Sequence, residues 1–335
     1  MALRVGINGL GRIGRALVRV LRQHPGITLA AVNDPAPPRQ IARLLRHDTV
    51  HGTYPGEIGW EEAGLRIDGR FVPQSRALSP EEIDWEAHGV EVVVEATGRF
   101  RRRELAATHL RGSVRRVVVS ATVPDADATF CVGINDRTFD PGRHHVVSNA
   151  SCTTNCLAPL LLVLDRHFGV DHALMNTVHC VTNSQNLVDM THVDPRRARA
   201  AIANIIPTTS DAIASIGSVM PAMAGKVEGL AMRVPIVAGS LVDLAVTLRR
   251  GTTRDEVADA FRQAARGDLA PILGVEEEEL VSSDFIGETR SAVVDLPLLQ
   301  AAGDRLFRVV AWYDNEYGYT HRLAELLGLI LARGG

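Results

Sequence analysis

The chain opens on an apolar run, Leu3 to Ile7, that passes straight into glycines at Gly9, Gly11 and Gly14. From Ala16 to Arg22 the apolar residues recur at helical spacing. A second apolar run, Ile27 to Val32, ends in Asn33-Asp34. This order predicts strand, tight turn, helix and strand: one βαβ unit. Further runs, Val90 to Glu95, Arg116 to Ser120 and His145 to Val147, are almost wholly apolar. Strands of a parallel sheet covered on both faces have that character. Leu157 to Leu164 predicts a very apolar helix, and Ala173 to Val178, Leu241 to Leu248 and Phe307 to Trp312 predict strands. The expected fold class is α/β. A doubly wound parallel (Rossmann) sheet occupies residues 1–150, and an α+β catalytic or substrate domain with a mostly antiparallel sheet occupies 151–314. No Pro/Gly/Ser-rich linker and no internal repeat separates them, so a rigid interface is expected.

Composition agrees with two domains, since 335 residues are about twice the usual domain of roughly 150. Charged residues at 22% and hydrophobic residues at 46% exclude a disordered chain. The 36 basic and 39 acidic residues leave a net charge of −3, which carries no footprint for nucleic acid. No apolar run reaches the roughly 18 residues needed to span a membrane. The start, Met-Ala-Leu-Arg-Val-Gly-Ile, reads as a strand rather than a leader, and a soluble, cytoplasmic protein is expected. Lys226 is the one lysine, so Schiff-base chemistry has a single possible site. Cys131, Cys152, Cys156 and Cys180 form no CxxC, which argues against a zinc knuckle or redox pair and for free thiols. Cys131 and Cys180 read as small buried hydrophobes.

Two segments carry candidate chemistry. In the first, Gly9-x-Gly11-x-x-Gly14 sits at the strand-to-helix turn, where backbone can approach a pyrophosphate and the new helix aims its N–H groups at it. Asp34 follows Gly14 by 34 − 14 = 20 residues, the distance expected of a carboxylate that accepts from ribose hydroxyls. That carboxylate repels a 2′-phosphate and favours NAD over NADP. Thr97 and Ser120 stand just beyond other strand ends, where such sheets bind ligands; turn chemistry is the plainer alternative for both. In the second segment, Ser148-Asn149-Ala150-Ser151-Cys152-Thr153-Thr154-Asn155-Cys156 leads into the apolar helix. Cys152 therefore falls near a helix N-terminus, which stabilises a thiolate, among side chains suited to anions. His179 ends another strand-like run, as an acid/base partner of a thiol would.

With these residues in view, the chain resembles the phosphorylating glyceraldehyde-3-phosphate dehydrogenase family over nearly its whole length. The resemblance is carried by INGLGRIGR from Ile7, VND ending at Asp34, DTVHG from Asp48 and EATGRF from Glu95. It continues through SNASCTTNCLAP from Ser148, TVHCVTN from Thr177, RRARAAIANIIPT from Arg196, GLAMRVP from Gly229 and WYDNEYGY from Trp312. It implies Cys152 as nucleophile and His179 as base, with the Cys152 N–H and His179 holding the oxyanion. It implies Arg12 and Ile13 as backbone partners of the pyrophosphate and Asn315 as the holder of the nicotinamide carboxamide. Thr182 and Arg233 resemble the site for the substrate's phosphate. Ser151, Thr153, Arg199, Ser210 and the Asp211 N–H resemble the site for inorganic phosphate. The implied reaction oxidises a small phosphorylated aldehyde with NAD and inorganic phosphate, most simply D-glyceraldehyde 3-phosphate to 1,3-bisphosphoglycerate. The resemblance further implies that the last helix, predicted over Thr320 to Ala332 within a segment from 315 to 335, packs back on the first domain. It also implies a homotetramer contacting through the Asp189 to Asn204 loop.

Several residues depart from the family's pattern. Ser184 stands where an Asp is usual, and Asp211 where a Gly follows the TTG threonine. A carboxylate facing a phosphate about 4 Å away would cost about 4 kcal/mol at an effective dielectric near 20. Asp211 must therefore turn away, pair with an arginine, or mark a changed aldehyde such as erythrose 4-phosphate. Met190-Thr191 replaces a Leu-Pro of NAD-specific members and leaves NADP use open; Leu78 falls near a family arginine, with Arg76 two residues away. Pro195 and Gly239-Ser240 also differ from the usual residues. A non-catalytic dinucleotide-binding protein is the remaining alternative, and Cys152, His179 and Asn315 together argue against it.

Overall fold

A computed structural model describes residues 2–334. The chain divides into two compact units. One holds residues up to Phe130, Asp136–Ala150 and the chain from Thr320; the other holds Cys131–Asn135 and Ser151–Tyr319.

Among the described residues, nine strands form the sheet of the first unit. The Leu3–Asn8 strand lies centrally, parallel to Ile27–Asn33 on one side and to Val92–Glu95 on the other. Arg116–Val119 and Val146–Ser148 extend the parallel sheet beyond Val92–Glu95. Because the chain moves outward to opposite sides of Leu3–Asn8, a crevice opens at the strand C-termini there. The strands are apolar on both faces because helices cover both: Val5, Ile7, Val32, Val93, Val117 and Val118 are all buried. The Arg12–Val20 helix starts directly after the first strand. The terminal helix spans Tyr317–Gly334, three residues longer at its start than its apolar pattern suggests.

The second unit carries an eight-stranded mixed sheet, mostly antiparallel. Its longest strand, Val170–Cys180, pairs parallel with Val227–Val234 and antiparallel with Ser240–Leu248, which pairs in turn with Leu306–Tyr313. The Cys152–Phe168 helix is buried almost all round, as its apolar sequence requires. It begins at Cys152 rather than at the apolar Leu157, because its polar first turn is satisfied by side chains. Ser151 Oγ accepts from the Thr154 N–H at 3.0 Å and caps the helix.

Candidate active site

The catalytic candidates meet in the second unit through strand register. Arg233, His179, Ser240 and Tyr313 are successive partners across four neighbouring strands. The Cys152–Phe168 helix aims its first residue at this row, with Cys152 Sγ 3.4 Å from His179 Nε2. Ala150, two residues before Cys152, adopts φ +56°. A left-handed alanine is costly, and such strain is concentrated where a chain must present a functional group. Tyr313 is buried; its hydroxyl lies 2.9 Å from both Thr153 Oγ1 and Thr177 Oγ1, tying the helix start to the sheet. Its ring meets His179 edge-on at 6.0 Å.

Burial, then the neighbouring Arg233 charge, pushes the His179 imidazole down to about 3, against the Cys180 carbonyl that favours its proton. The imidazole is therefore neutral at neutral pH. Arg233 Nη1 lies 2.5 Å from His179 Nδ1 and, having only donors, fixes that nitrogen as an acceptor and the ring proton on Nε2. The Cys180 carbonyl lies 2.8 Å from the same Nδ1 and favours the opposite tautomer, in which Nε2 is free to take a proton from sulfur. Burial pushes the Cys152 thiol up, and it outweighs Arg233, Thr153 and the backbone N–H groups that pull it down. Cys152 keeps partial exposure, so water tempers that effect. Burial thus opposes the pull of the helix N-terminus toward the thiolate, and with the ring proton on Nε2 the imidazole must change tautomer before it can take the sulfur's proton.

The other expected residues fall as follows. Asn315 is buried, and Cys180 Sγ donates to its Oδ1 at 3.2 Å, so a cysteine expected only to fill space orients an amide. Thr182 Oγ1 donates to Gln185 Oε1 at 2.9 Å and lies 3.0 Å from Ser184 Oγ. Arg233 Nε is buried. Thr153 and Ser151 lie in the first turn beside Cys152. Ser210 caps the Asp211–Val219 helix and accepts from the Ala212 N–H. Asp211 is the first residue of that helix and is exposed, where the helix dipole favours a carboxylate. Arg199 is exposed and pairs with Asp189 at 3.0 Å. The half-buried arginine that reaches the Thr208–Ser210 segment is Arg197, whose Nε donates to Thr208 Oγ1 at 2.7 Å. Sequence reasoning passed over it, because a run of arginines does not reveal which one turns inward.

The first unit holds the cradle, a cleft of about 220 Å³ lined by Asn8, Gly9, Gly11, Asp34, Ala77 and Thr97 among others. Gly9 has φ +94°, and a Cβ there would sit 2.8 Å from the Thr97 backbone nitrogen. A Cβ on Gly14 would stand 2.0 Å from the Gly9 carbonyl oxygen. At Gly11 a Cβ would meet nothing within 4 Å, so the backbone there is open to a phosphate. No acidic residue opposes an anion in the first turn of the Arg12–Val20 helix, which Arg12 and Ile13 begin. The Arg12 side chain is clamped on Asp48: burial raises that carboxyl, but Arg12 and the His51 and Val50 N–H groups bring it down to about 2. Asp34 ends the second strand with both oxygens positioned, Oδ2 accepting from Leu10 N at 2.8 Å and Oδ1 from Ala36 N at 2.9 Å. Ser120 follows the Arg116–Val119 strand, its N–H donating to the Glu95 carbonyl.

Comparison with known proteins agrees with this arrangement. Residues 151–315 match the family model for the glyceraldehyde 3-phosphate dehydrogenase C-terminal domain, and residues 3–103 match its NAD binding domain. The chain belongs to the glyceraldehyde-3-phosphate dehydrogenase family. It is 44% identical to the glyceraldehyde-3-phosphate dehydrogenase of Geobacillus stearothermophilus over 334 residues, all of both chains. It is 46% identical to that of Kitasatospora aureofaciens, covering 98% of this chain and 99% of the relative, and 43% identical to that of Thermotoga maritima with the same coverage. The chain is accordingly an NAD-dependent aldehyde oxidoreductase. The open backbone at Gly11 and the pinned Asp34 carboxylate fit that cofactor. Asp34→Ala is expected to shift the NAD-to-NADP preference toward NADP by about tenfold or more, measured as the ratio of kcat/KM values.

Proposed function

We propose that the enzyme oxidises D-glyceraldehyde 3-phosphate to 1,3-bisphosphoglycerate in the cytoplasm, using NAD and inorganic phosphate. The observation that carries the reading is the 3.4 Å approach of Cys152 Sγ to His179 Nε2. Substrate phosphate draws the Arg233 guanidinium from His179; the ring then gives its Nε2 proton to water and takes one from water at Nδ1, which donates to the Cys180 carbonyl, and Nε2 becomes the proton acceptor. Cys152 Sγ attacks the aldehyde carbon as its proton passes to Nε2. The carbonyl oxygen takes the electron pair and is held by the Cys152 N–H and the imidazolium, then receives the proton to complete the thiohemiacetal. Bound NAD supplies the hydride acceptor. His179 removes the hydroxyl proton as hydride departs, and a thioester remains on Cys152. A phosphate oxygen then attacks that carbonyl, the C–S bond breaks toward sulfur, and an acyl phosphate leaves. Thr182 and Arg233 serve the substrate phosphate. Ser151, Thr153 and Ser210 serve the attacking phosphate with Arg197, which replaces Arg199 in this role. Asn315, oriented by Cys180, serves the carboxamide.

Asp211 stands at a helix start that favours its charge. NADH formation that requires aldehyde, NAD and phosphate together tests the proposal. A large preference for erythrose 4-phosphate in side-by-side kcat/KM measurements would overturn the choice of substrate.

The active form is proposed to be a homotetramer. Leu187, Val188, Met190, Val193, Ile202 and Ile205 are exposed within one loop segment, Val193 by 99%. A patch of that kind on a monomer marks an interface. Val193→Asp is expected to shift the assembly toward smaller species in light scattering; an unchanged mass would remove this loop from the contact. No described helix is long and apolar enough to cross a membrane.

A further inference from the structure

Below the NAD cleft, four adjacent parallel strands end on polar residues in register: Ser75, Asn33, Asn8 and Glu95. Asn8, Asn33 and Glu95 are buried, as are His109 and Trp85 beside them. Such groups are tolerated in a core only when their hydrogen bonds are made, and here the directions of those bonds can be assigned one after another.

Trp85 Nε1 can only donate, and it donates to His109 Nδ1 at 3.1 Å. The ring proton of a neutral His109 is thereby placed on Nε2, which faces Glu95 Oε2 at 3.2 Å. From the other side, Asn33 Oδ1 accepts from the Ala77 N–H at 2.9 Å and from Ser75 Oγ at 2.8 Å. That fixes its amide, and Asn33 Nδ2 donates to Asn8 Oδ1 at 2.8 Å. Asn8 must then present Nδ2 to Glu95 Oε2, at 2.5 Å. The remaining oxygen, Oε1, accepts from the Thr97 N–H at 2.8 Å and from Thr97 Oγ1. Both arms of the chain converge on Glu95, whose oxygens only accept. Asn8, Asn33, Ala77 and Thr97, all joined by these bonds, also line the cleft.

We propose that Glu95 is a positioning residue for NAD binding: its carboxylate is the common acceptor that orients Asn8, Asn33 and Thr97 on the floor of the cleft. The proposal rests on this cleft being the NAD site. A glutamine at 95 must turn an amide donor toward Thr97, or toward Asn8 and His109, all of which are fixed as donors. No rotation of the amide satisfies them all.

The test is NAD titration by calorimetry on the full-length protein. Glu95→Gln is expected to raise the NAD Kd by at least about tenfold. Alkylation of Cys152 by iodoacetamide without NAD is expected to stay within about twofold of the unmodified protein, because the catalytic row lies in the other unit. The double variant Asn8→Asp/Glu95→Gln moves the common acceptor one strand along. Asp at 8 then accepts from Asn33, from the new Gln amide and from His109 Nε2, already 3.4 Å from the Asn8 amide. The Gln carbonyl keeps Thr97. This double variant is expected to recover most of the lost affinity, which a purely space-filling role for Glu95 does not predict. Normal NAD affinity in Glu95→Gln, or a double variant no better than the single one, overturns the proposal. If Glu95→Gln alone is insoluble, the double variant decides: soluble and NAD-binding supports it, insoluble or non-binding contradicts it. Asp34→Ala in the same series separates the two levels. Weakened NAD binding there with normal binding in Glu95→Gln refutes only the role of Glu95, whereas normal binding in both removes the cleft assignment as well.

Discussion

Cys152→Ser is expected to lower kcat by about 10⁴-fold or more while the Kd for NAD stays within about threefold. The serine hydroxyl is far less acidic than a thiol, and a neutral imidazole at 3.4 Å from the sulfur is too weak a base to ionise it to a useful extent. The NAD cradle lies in the other compact unit, so its glycines and Asp34 are untouched by the substitution. Initial rates with aldehyde and phosphate, paired with NAD titration, measure the two halves separately. Retained activity would remove Cys152 from the mechanism; loss of both activity and NAD binding would indicate a folding defect.

His179→Asn is expected to lower kcat by about 10²- to 10⁴-fold, the usual worth of a positioned general base. The thioester-forming step should be slowed with it, so a pre-steady-state burst of NADH seen in the unmodified enzyme disappears. The same substitution has a signature in stability. The folded imidazole titrates near 3 and the unfolded one near 6.5. Between those values the unfolded chain binds a proton that the folded chain does not. Stability therefore falls as pH drops from about 6.5 toward about 3, and is unaffected by this group above that window. Urea unfolding at a series of pH values should show a shallower acid decline in His179→Asn. Equal slopes would mean that His179 is not held neutral by burial and Arg233.

Much of this architecture was legible because it rests on short-range pattern. The βαβ unit, its three glycines and Asp34 are contiguous in sequence, and each is dictated by local geometry: a positive φ at Gly9, a close approach at Gly14, a strand end at Asp34. Cys152 could be placed at a helix start for the same reason. What stayed hidden depends on register between distant strands or on the direction in which one side chain turns. Arg233 opposite His179, and Tyr313 two strands beyond, follow from pairings of segments far apart in the chain. Arg197 and Arg199 are two positions apart in one arginine-rich run, and only the fold turns the first toward Thr208 and leaves the second on Asp189. Glu95 looked like the end of an apolar strand, because two of its carboxylate's three partners, Asn8 and His109, come from segments far from it in the chain. At Cys152 the helix N-terminus, legible in the sequence, favours the thiolate, while burial of the sulfur, which only the fold produces, opposes it.

In the proposed reaction the aldehyde carbon becomes bonded to Cys152 as an acyl group. Mixing the enzyme with glyceraldehyde 3-phosphate and NAD in phosphate-free buffer, quenching in acid and mapping peptides by mass spectrometry tests it directly. One phosphoglyceroyl group is expected on the peptide containing Cys152, formed with stoichiometric NADH and discharged when phosphate is added. NADH formation with Cys152 unmodified, or the acyl group on another residue, would contradict it.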